Sequence, residues 1–242
     1  MDNQLEHSHN KKDIKERIAS PHQQNYLRDW IYGGIDGAVT TFAIVSGVVG
    51  GHLSALVILI LGFANLFADG FSMAVSNYIG TKSEEDQYYK YKSIEAKHID
   101  LAPEGEKAEI REIFKQKGLS GTLLDLVVDE ITSNKTLWIK TMLQEEYGLP
   151  QTPRNPVKAG MYTFFAFLLF GLIPLVPYVL KLTDPFFWSC FSTGVTFFII
   201  GSIKSLWSVK PWYYSGMQTL MLGSATATLA YLIGRFLHAY LA

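Results

Sequence analysis

The chain has 242 residues, a formal net charge of −1 and a hydrophobic fraction of 48%. A net charge this close to zero does not favour nucleic acid or another strongly charged partner, and the single cysteine, Cys190, excludes an intrachain disulfide. The charges are segregated, because residues 81–155 are rich in Lys, Glu and Asp whereas residues 156–242 carry few. This segregation is typical of a membrane protein that carries one polar domain.

Residues 1–28 are polar, of mixed charge, and without the apolar core of a signal peptide, so we expect a flexible tail. Five later segments have the roughly 20 mostly apolar residues that a membrane-spanning helix requires. These are residues 31–51, 54–79, 157–180, 185–207 and 213–240. We expect helices there, because lipid offers no partners to free backbone groups. The Trp and Tyr residues at their ends favour membrane spans over a buried bundle in a soluble protein.

The first span carries glycines at four-residue spacing, Gly33 with Gly37 and Gly47 with Gly51. Small residues at this spacing let two helix backbones approach closely. Five helices are also few to enclose a transport path. We therefore expect a homodimer that packs through span one, while the alternative is that these glycines pack only within one subunit.

Polar side chains lie inside the first two spans. Asp36 and Thr40 share a face of span one, and Asp69, Met73 and Asn77 step by four residues along span two. A carboxylate at bilayer depth costs about 2.5–3.5 kcal/mol on insertion scales, so its presence indicates a function. Carboxylates bind cations and carry protons, and a thioether favours transition metals over Mg²⁺ or Ca²⁺. These five residues predict a cation pathway; the alternative is that the aspartates only cap or hydrogen-bond neighbouring helices.

The charged segment between spans two and three, residues 81–155, is called the insert below. Its pattern predicts a continuation of span two to about residue 98, followed by three shorter helices. Pro103 suits the first turn of the next helix, Gly118 a helix end, and Ser133 or Asn134 the cap of the last helix.

Candidate metal ligands recur along the insert at spacings that place them on shared helix faces. They are Glu95 and His98, Glu106 and Glu109, and Met142 and Glu146. Carboxylate oxygens suit hard divalent ions, while imidazole and thioether groups extend the range toward Fe²⁺ and later metals. The alternative interpretation is a solvated acidic face with Lys neighbours, since Glu-rich helices are common.

Lys and Arg residues concentrate in the tail, in the insert and between spans four and five. Positive charge favours the cytosolic side, so we expect a cytosolic N-terminus and insert, with the C-terminus on the far side of a plasma (inner) or vacuole-like membrane. The sequence thus predicts an all-α integral membrane protein with five transmembrane helices. Its organisation is a flexible cytosolic tail (1–28), spans one and two (29–80), a cytosolic helical metal-binding domain (81–155) and spans three to five (156–242).

The sequence lacks a nucleophile elbow, a phosphate-binding glycine loop, a cysteine pair and a His-Glu-x-x-His motif. We therefore predict no enzymatic activity, no cofactor and no nucleic-acid partner. The favoured interpretation is a transporter with divalent metal as its substrate. The alternative is a membrane-anchored metal sensor or binding module, in which the insert binds metal and the spans serve as an anchor. Polar residues inside the bilayer favour transport, because an anchor does not need them.

Several stretches carry a family resemblance from Tyr32 onward. They are Asp36-Gly-Ala-Val-Thr-Thr-Phe, Ser72-Met-Ala, Tyr78-Ile-Gly-Thr-Lys-Ser-Glu, Asn155-Pro156 and Gly171-Leu-Ile-Pro-Leu-Val-Pro-Tyr178. In this order and spacing, with a charged insert between spans two and three, the chain resembles the vacuolar iron transporter family.

The resemblance implies a dimer of five-helix subunits that moves Fe²⁺ out of the cytosol in exchange for protons. It assigns Asp36 and Met73 to the path. It assigns metal capture in the insert to Glu95, Glu106, Glu109, Met142 and Glu146.

Three positions depart from the family pattern. Asn77 stands where many members have Glu, His98 replaces an expected Glu, and Leu143 replaces a frequent second Met. Loss of the carboxylate at Asn77 could change proton coupling, with Asp69 as its substitute. The other two departures allow a preference shifted toward Mn²⁺, Zn²⁺ or Co²⁺.

Overall fold

The computed structural model describes residues 8–19 and 25–241 of the chain. These residues form ten α-helices and two short 3-10 turns, with no strand among them. The helices are α1 (Lys11–Ala19), α2 (Leu27–Gly50), α3 (Ala55–Leu101), α4 (Pro103–Gln116), α5 (Gly121–Ser133), α6 (Lys135–Glu145), α7 (Pro156–Leu172), α8 (Val176–Val179), α9 (Pro185–Lys204) and α10 (Trp212–Leu241). The all-α prediction is confirmed for the described residues.

The predicted flexible tail, residues 1–28, contains helix α1 where it is described. Asn10 caps this helix, because its Oδ1 accepts a hydrogen bond from the backbone N–H of Asp13 at 3.0 Å and its Nδ2 donates to the Asp13 carboxylate. Polar composition alone did not indicate this local order, and α2 also begins two residues before the predicted boundary at residue 29. Residues 1–7 and 20–24 of the tail lie outside the described residues.

Within residues 8–19 and 25–241, five helical segments are long and apolar enough to cross a membrane, as predicted. They are α2, the N-terminal half of α3, α7 with α8, α9 with the 3-10 turn that follows it, and α10. Helix α3 has 47 residues, which is about 70 Å at 1.5 Å per residue. This length is more than twice the ~30 Å hydrocarbon core of a bilayer, so the C-terminal half of α3 continues past the span, as the sequence predicted.

The third span, predicted as a continuous helix over residues 157–180, is interrupted. Helix α7 ends at Leu172, a 3-10 turn covers Ile173–Leu175, and α8 completes the segment. Pro174 lies in this turn; it lacks a backbone N–H and its ring disfavours a continuous α-helix. Its carbonyl oxygen accepts a hydrogen bond from the hydroxyl of Ser189 at 2.8 Å, which ties the interrupted segment to α9.

Helices α4, α5 and α6 pack with the C-terminal half of α3 around an apolar core of their own. The buried residues of this core are Tyr88, Ile99, Ile110, Leu124, Val128, Ile131, Trp138, Ile139, Met142 and Leu143. The predicted helix ends are confirmed at three points. Helix α4 begins at Pro103, Asn134 accepts hydrogen bonds from two N–H groups of α6, and Gly118 adopts a positive φ of 95° after α4.

Helix α2 packs between α7 and α10, and its glycines lie at these contacts. A Cβ at Gly37 would lie 2.4 Å from the carbonyl oxygen of Phe167 in α7, and one at Gly50 would lie 2.2 Å from that of Tyr231 in α10. Gly33 is equally close to α7. Gly33 and Gly37 are therefore explained by packing against α7 within one subunit, and Gly47 by the close approach of Gly234 in α10. A homodimer through span one stays a prediction.

We expect Gly37→Ala to lower the free energy of unfolding by about 1–3 kcal/mol, because the new methyl group meets backbone atoms that cannot rotate away. Gly80→Ala is the matched control: Gly80 is also helical, but a Cβ there would meet nothing within 4 Å. That control should be neutral or stabilising by about 0.5–1 kcal/mol. Thermal unfolding of the full chain in detergent compares the two variants, and equal shifts would contradict the close α2–α7 contact.

Candidate metal sites

A cavity of about 500 Å³ opens between α2, α3 and the segment that precedes α7. Four of the five predicted pathway residues line it: Asp36 from α2, and Asp69, Met73 and Asn77 from α3. The three residues of α3 share one face because they step by four residues. The remaining lining residues are Arg28, Asp29, Tyr32, Ser72, Ser76, Gly80, Thr81, Glu84 and Arg154.

Two of the four carboxylates that line this cavity belong to Asp36 and Asp69, which are both partly exposed. They are close enough for their negative charges to repel each other. A divalent cation in the cavity would replace this repulsion by two attractions. Met73 is 9% exposed and packs on one side against Leu66 and Phe167. Since it also lines the cavity, its thioether offers a soft ligand beside the two hard ones.

Thr40, the fifth predicted pathway residue, is not among the cavity-lining residues. Its hydroxyl donates a hydrogen bond to the carbonyl oxygen of Asp36 at 2.9 Å. The same hydroxyl lies 3.5 Å from the side-chain amide of Asn65 on α3, which donates to it. Thr40 therefore links α2 to α3 one turn beyond the cavity.

Asn77 connects three helices through its side-chain amide. Nδ2 lies 2.9 Å from a carboxylate oxygen of Asp29 on α2. It also lies 2.7 Å from the hydroxyl of Thr163 and 3.2 Å from the carbonyl oxygen of Ala159, both on α7. At the position where the resemblance expects a Glu, this chain has a hydrogen-bond donor to a carboxylate.

Asp29 and Arg154 belong to the cavity but were not predicted. Asp29 is 3% exposed, and the guanidinium of Arg154 forms an ion pair with it. The same guanidinium lies over the ring of Tyr26, 5.4 Å from its centroid. The pair joins the start of the first span to the last residues of the insert. The sequence signal for this ion pair was the position of Asp29, an acidic residue directly before Trp30 at the predicted membrane boundary.

In the insert, Glu95, His98 and Glu106 converge where α3 meets α4. One ligand atom from each residue lies within 4.8 Å of the other two, and Nδ1 of His98 is 3.2 Å from Oε1 of Glu106. The hydroxyl of Tyr147 donates to Oε1 of Glu95 at 2.9 Å. The Oε2 atoms of both glutamates are buried without a hydrogen-bond partner among the described residues. Burying unpartnered carboxylate oxygens is unfavourable, and a divalent cation bound between the two glutamates would reduce this cost.

The other predicted insert ligands lie around this cluster in different environments. Glu109 and Glu146 lie at the surface of the insert. Partial desolvation and the negative charges of Glu95 and Glu109 raise the pKa of Glu146. Met142 is fully buried in the apolar core of the insert. The acidic residues and His98 are thus close enough for their charges to interact. The thioether of Met142 lies in the adjoining apolar core.

Burial and the charges of Glu95 and Glu109 raise the pKa of Glu106 to about 7. Burial and the hydrogen bond to Glu95 also raise the pKa of Tyr147, which therefore remains a neutral donor. Near neutral pH, a proton and a metal ion would compete for Glu106, because only the ionised carboxylate is a good ligand.

In the metal-free chain, we expect the free energy of unfolding to fall as pH rises from about 4.5, the ordinary pKa of Glu106, to about 7, its pKa in the folded chain. In this range the folded chain holds a proton that the unfolded chain has released, so the folded state is favoured at the lower pH. The measurement is the unfolding midpoint of the full chain in detergent with a chelator, at about pH 5 and about pH 7.5. Glu106→Gln should flatten the difference, and the same pH profile in that variant would contradict the assignment.

The chain also matches known proteins over most of its length. The profile described as the VIT family matches residues 27–235. A vacuolar iron transporter of Toxoplasma gondii (strain ATCC 50861 / VEG) is 31% identical, with 93% of this chain and 81% of the relative covered. One of Plasmodium berghei (strain Anka) is 33% identical over 87% and 82%. Vacuolar iron transporter 1 of Arabidopsis thaliana is 30% identical over 86% and 85%.

Proposed function

The chain belongs to the VIT family, and from this premise we propose that it transports divalent metal ions, Fe²⁺ first among them, across a membrane. The observation that carries the proposal is the cavity in which Asp36, Asp69 and Met73 meet. Two carboxylates and a thioether form a ligand set suited to a transition-metal cation. The names of the relatives support iron as the substrate. Mn²⁺, Zn²⁺ and Co²⁺ are secondary substrates, and the metal is cargo rather than a cofactor.

The insert captures the metal on the cytosolic side. Glu95, His98 and Glu106 provide the initial ligands, and the exposed Glu109 and Glu146 attract cations toward them. Support comes from the two buried carboxylate oxygens that have no hydrogen-bond partner within the described part of the chain and from the convergence of the three ligand atoms. Capture at neutral pH requires Glu106 to lose its proton, which the approaching cation itself promotes.

Transport is an exchange for protons. The ion enters the cavity, binds Asp36, Asp69 and Met73, and is released when protons from the far side neutralise the carboxylates. A carboxylate can hold either a proton or a metal ion but holds both poorly. Asn77 supplies no proton-carrying group at its position, so Asp36 and Asp69 carry the coupling.

The N-terminus and the insert face the cytosol, and the C-terminus lies on the far side of a plasma (inner) or vacuole-like membrane. The Lys and Arg distribution supports this orientation. The working unit is a homodimer, which rests on the family resemblance and not on the glycines of α2.

The alternative, a metal sensor anchored by the spans, is less well supported. A sensor needs the cluster of Glu95, His98 and Glu106 but has no use for a polar cavity lined from α2 and α3. The carboxylates of Asp36 and Asp69 are costly in a membrane, and an anchor could pack its helices with apolar side chains instead.

The test is metal flux into proteoliposomes that contain a metal-sensitive dye, measured for Fe²⁺ without oxygen, with and without a pH gradient. We expect Fe²⁺ flux that increases when the far side is acidic. Flux that does not depend on the pH gradient would contradict proton exchange. Absence of flux for Fe²⁺, Mn²⁺, Zn²⁺ and Co²⁺ would favour the sensor.

We expect the double variant Glu95→Gln/Glu106→Gln to raise the metal concentration for half-maximal flux by about tenfold or more, because two charge-assisted ligands are lost. Maximal flux should change little, since the cavity is untouched. Glu112→Gln is the control: this exposed residue pairs with Lys115 and Gln116. An unchanged concentration dependence in the double variant would exclude the insert from capture.

A further inference from the structure

Two histidines meet at the end of the helices opposite to the insert. His52 lies in the connection between α2 and α3, and His238 lies in the last turn of α10. Their ring centroids are 5.0 Å apart, with an angle of 57° between the rings. The close packing of Gly234 against Gly47 holds α10 beside the end of α2, so the two rings are brought together by the helix packing.

This separation fits a shared metal ion. Imidazole nitrogens bind Zn²⁺ at about 2.0–2.1 Å, and two such ligands at a tetrahedral angle place their ring centres about 5 Å apart. The rings are tilted rather than stacked, which leaves room for a ligand geometry of this kind. Both side chains are exposed, so an ion from solution can reach them.

A carboxylate and a hydroxyl share a surface cavity with one histidine of this pair, His52. His52 lines a cavity of about 660 Å³ together with Asp184 and Tyr178. The Asp184 side chain makes no capping hydrogen bond to α9, although the residue directly precedes that helix. Tyr178 is 6% exposed, and its hydroxyl has no hydrogen-bond partner among the described residues. The cavity therefore contains polar groups whose bonding capacity is not used within the described chain.

We propose that His52 and His238, with Asp184 as the neighbouring carboxylate, form a second divalent-metal site at the end of the molecule opposite to the insert. Imidazole nitrogen selects transition metals such as Zn²⁺, Co²⁺ or Fe²⁺ over Mg²⁺ and Ca²⁺, and the carboxylate offsets part of the ion's charge. The position of this site on the release side of the membrane rests on the proposed function. Its ability to bind metal does not.

The backbone at His52 allows a variant that removes the imidazole without disturbing the turn. His52 has a φ of 55°, in the left-handed region that Asn also tolerates. His52→Asn therefore keeps the connection between α2 and α3, and His238→Gln keeps a helix-compatible side chain in α10. His9→Gln, in the segment before α1, is the matched control.

The experiment is a Co²⁺ titration of the full chain in detergent, followed by the visible absorption of bound Co²⁺. Metal binding by the insert is first weakened with the double variant Glu95→Gln/Glu106→Gln, which is the background for all further variants. In this background, we expect His52→Asn and His238→Gln each to abolish binding of about one Co²⁺ per chain. Asp184→Asn should weaken the same event, and His9→Gln should leave it unchanged. Equal Co²⁺ binding in the background and in both histidine variants would overturn the proposal.

A second measurement uses the unmodified protein. Saturating Zn²⁺ should protect His52 and His238, but not His9, from carbethoxylation by diethylpyrocarbonate, read by mass spectrometry of the peptides. Equal modification with and without Zn²⁺ would also overturn the site. Both measurements report binding without flux, so a protein that protects these histidines but moves no metal would contradict the proposed function alone.

Discussion

Asp36→Asn should lower Fe²⁺ flux by about tenfold or more, since a charge-assisted interaction is worth about 1.5–3 kcal/mol. The amide has nearly the same size and can still accept a hydrogen bond, but it carries neither a negative charge nor an exchangeable acidic proton. Of the two carboxylates proposed to bind the cation, only that of Asp69 would then remain. The expected loss concerns both the binding of the cation and its displacement by protons.

The fold should survive this change. The backbone carbonyl of Asp36, and not its side chain, accepts the hydrogen bond from Thr40, and removing one of two repelling charges does not destabilise α2. Asp125→Asn is a suitable control, because Asp125 lies on the surface of the insert and pairs with Arg111. Flux in proteoliposomes and the unfolding midpoint in detergent are measured on the same preparations. Undiminished flux in Asp36→Asn would place the pathway elsewhere.

Arg154→Gln should destabilise the chain by about 3–5 kcal/mol, because it removes the ionic partner of a buried carboxylate. Asp29 is 3% exposed, and the remaining hydrogen bond from the amide of Asn77 does not neutralise its charge. The contact of the guanidinium with the ring of Tyr26 is lost as well. For a chain of this size, such a loss lowers the unfolding midpoint by about 10 °C.

The double variant Asp29→Asn/Arg154→Gln separates the buried charge from the packing of the side chains. It removes both charges, and the carbonyl of the new amide can still accept from Asn77. We expect it to recover more than half of the stability lost in Arg154→Gln. Thermal unfolding in detergent is measured for the unmodified chain, for the two single variants Asp29→Asn and Arg154→Gln, and for the double variant. A loss of less than about 1 kcal/mol in Arg154→Gln would mean that water screens the pair as at an open surface.

The sequence predicted the helices well because the signals that define them are local. Long apolar segments need helical backbone in lipid, and this rule located all five candidate spans. Helix caps follow the same logic, since Asn134 and Pro103 act within one turn of their own position. The interruption of the third span at Pro174 was missed, although a proline there carries a local signal of its own.

The candidate sites were predictable in part. Residues four apart share a helix face, so Asp69, Met73 and Asn77 were correctly expected on one stripe, and four of the five pathway residues line one cavity. Periodicity could not say which groups would meet a neighbour from another helix. Thr40 instead links α2 to α3, and the amide of Asn77 is held by α2 and α7.

The amino-acid sequence by itself determined the number of apolar helices, the segregation of charge and the stripes of ligands on single helices, because each depends on residues within a few turns of one another. Only the tertiary structure decided which helices use the glycines of α2 and that Asp29 meets Arg154 across 125 residues. It alone brought His52 to His238. Such pairs depend on the order and crossing of whole helices, and a local pattern of hydrophobicity or charge contains no information about that arrangement.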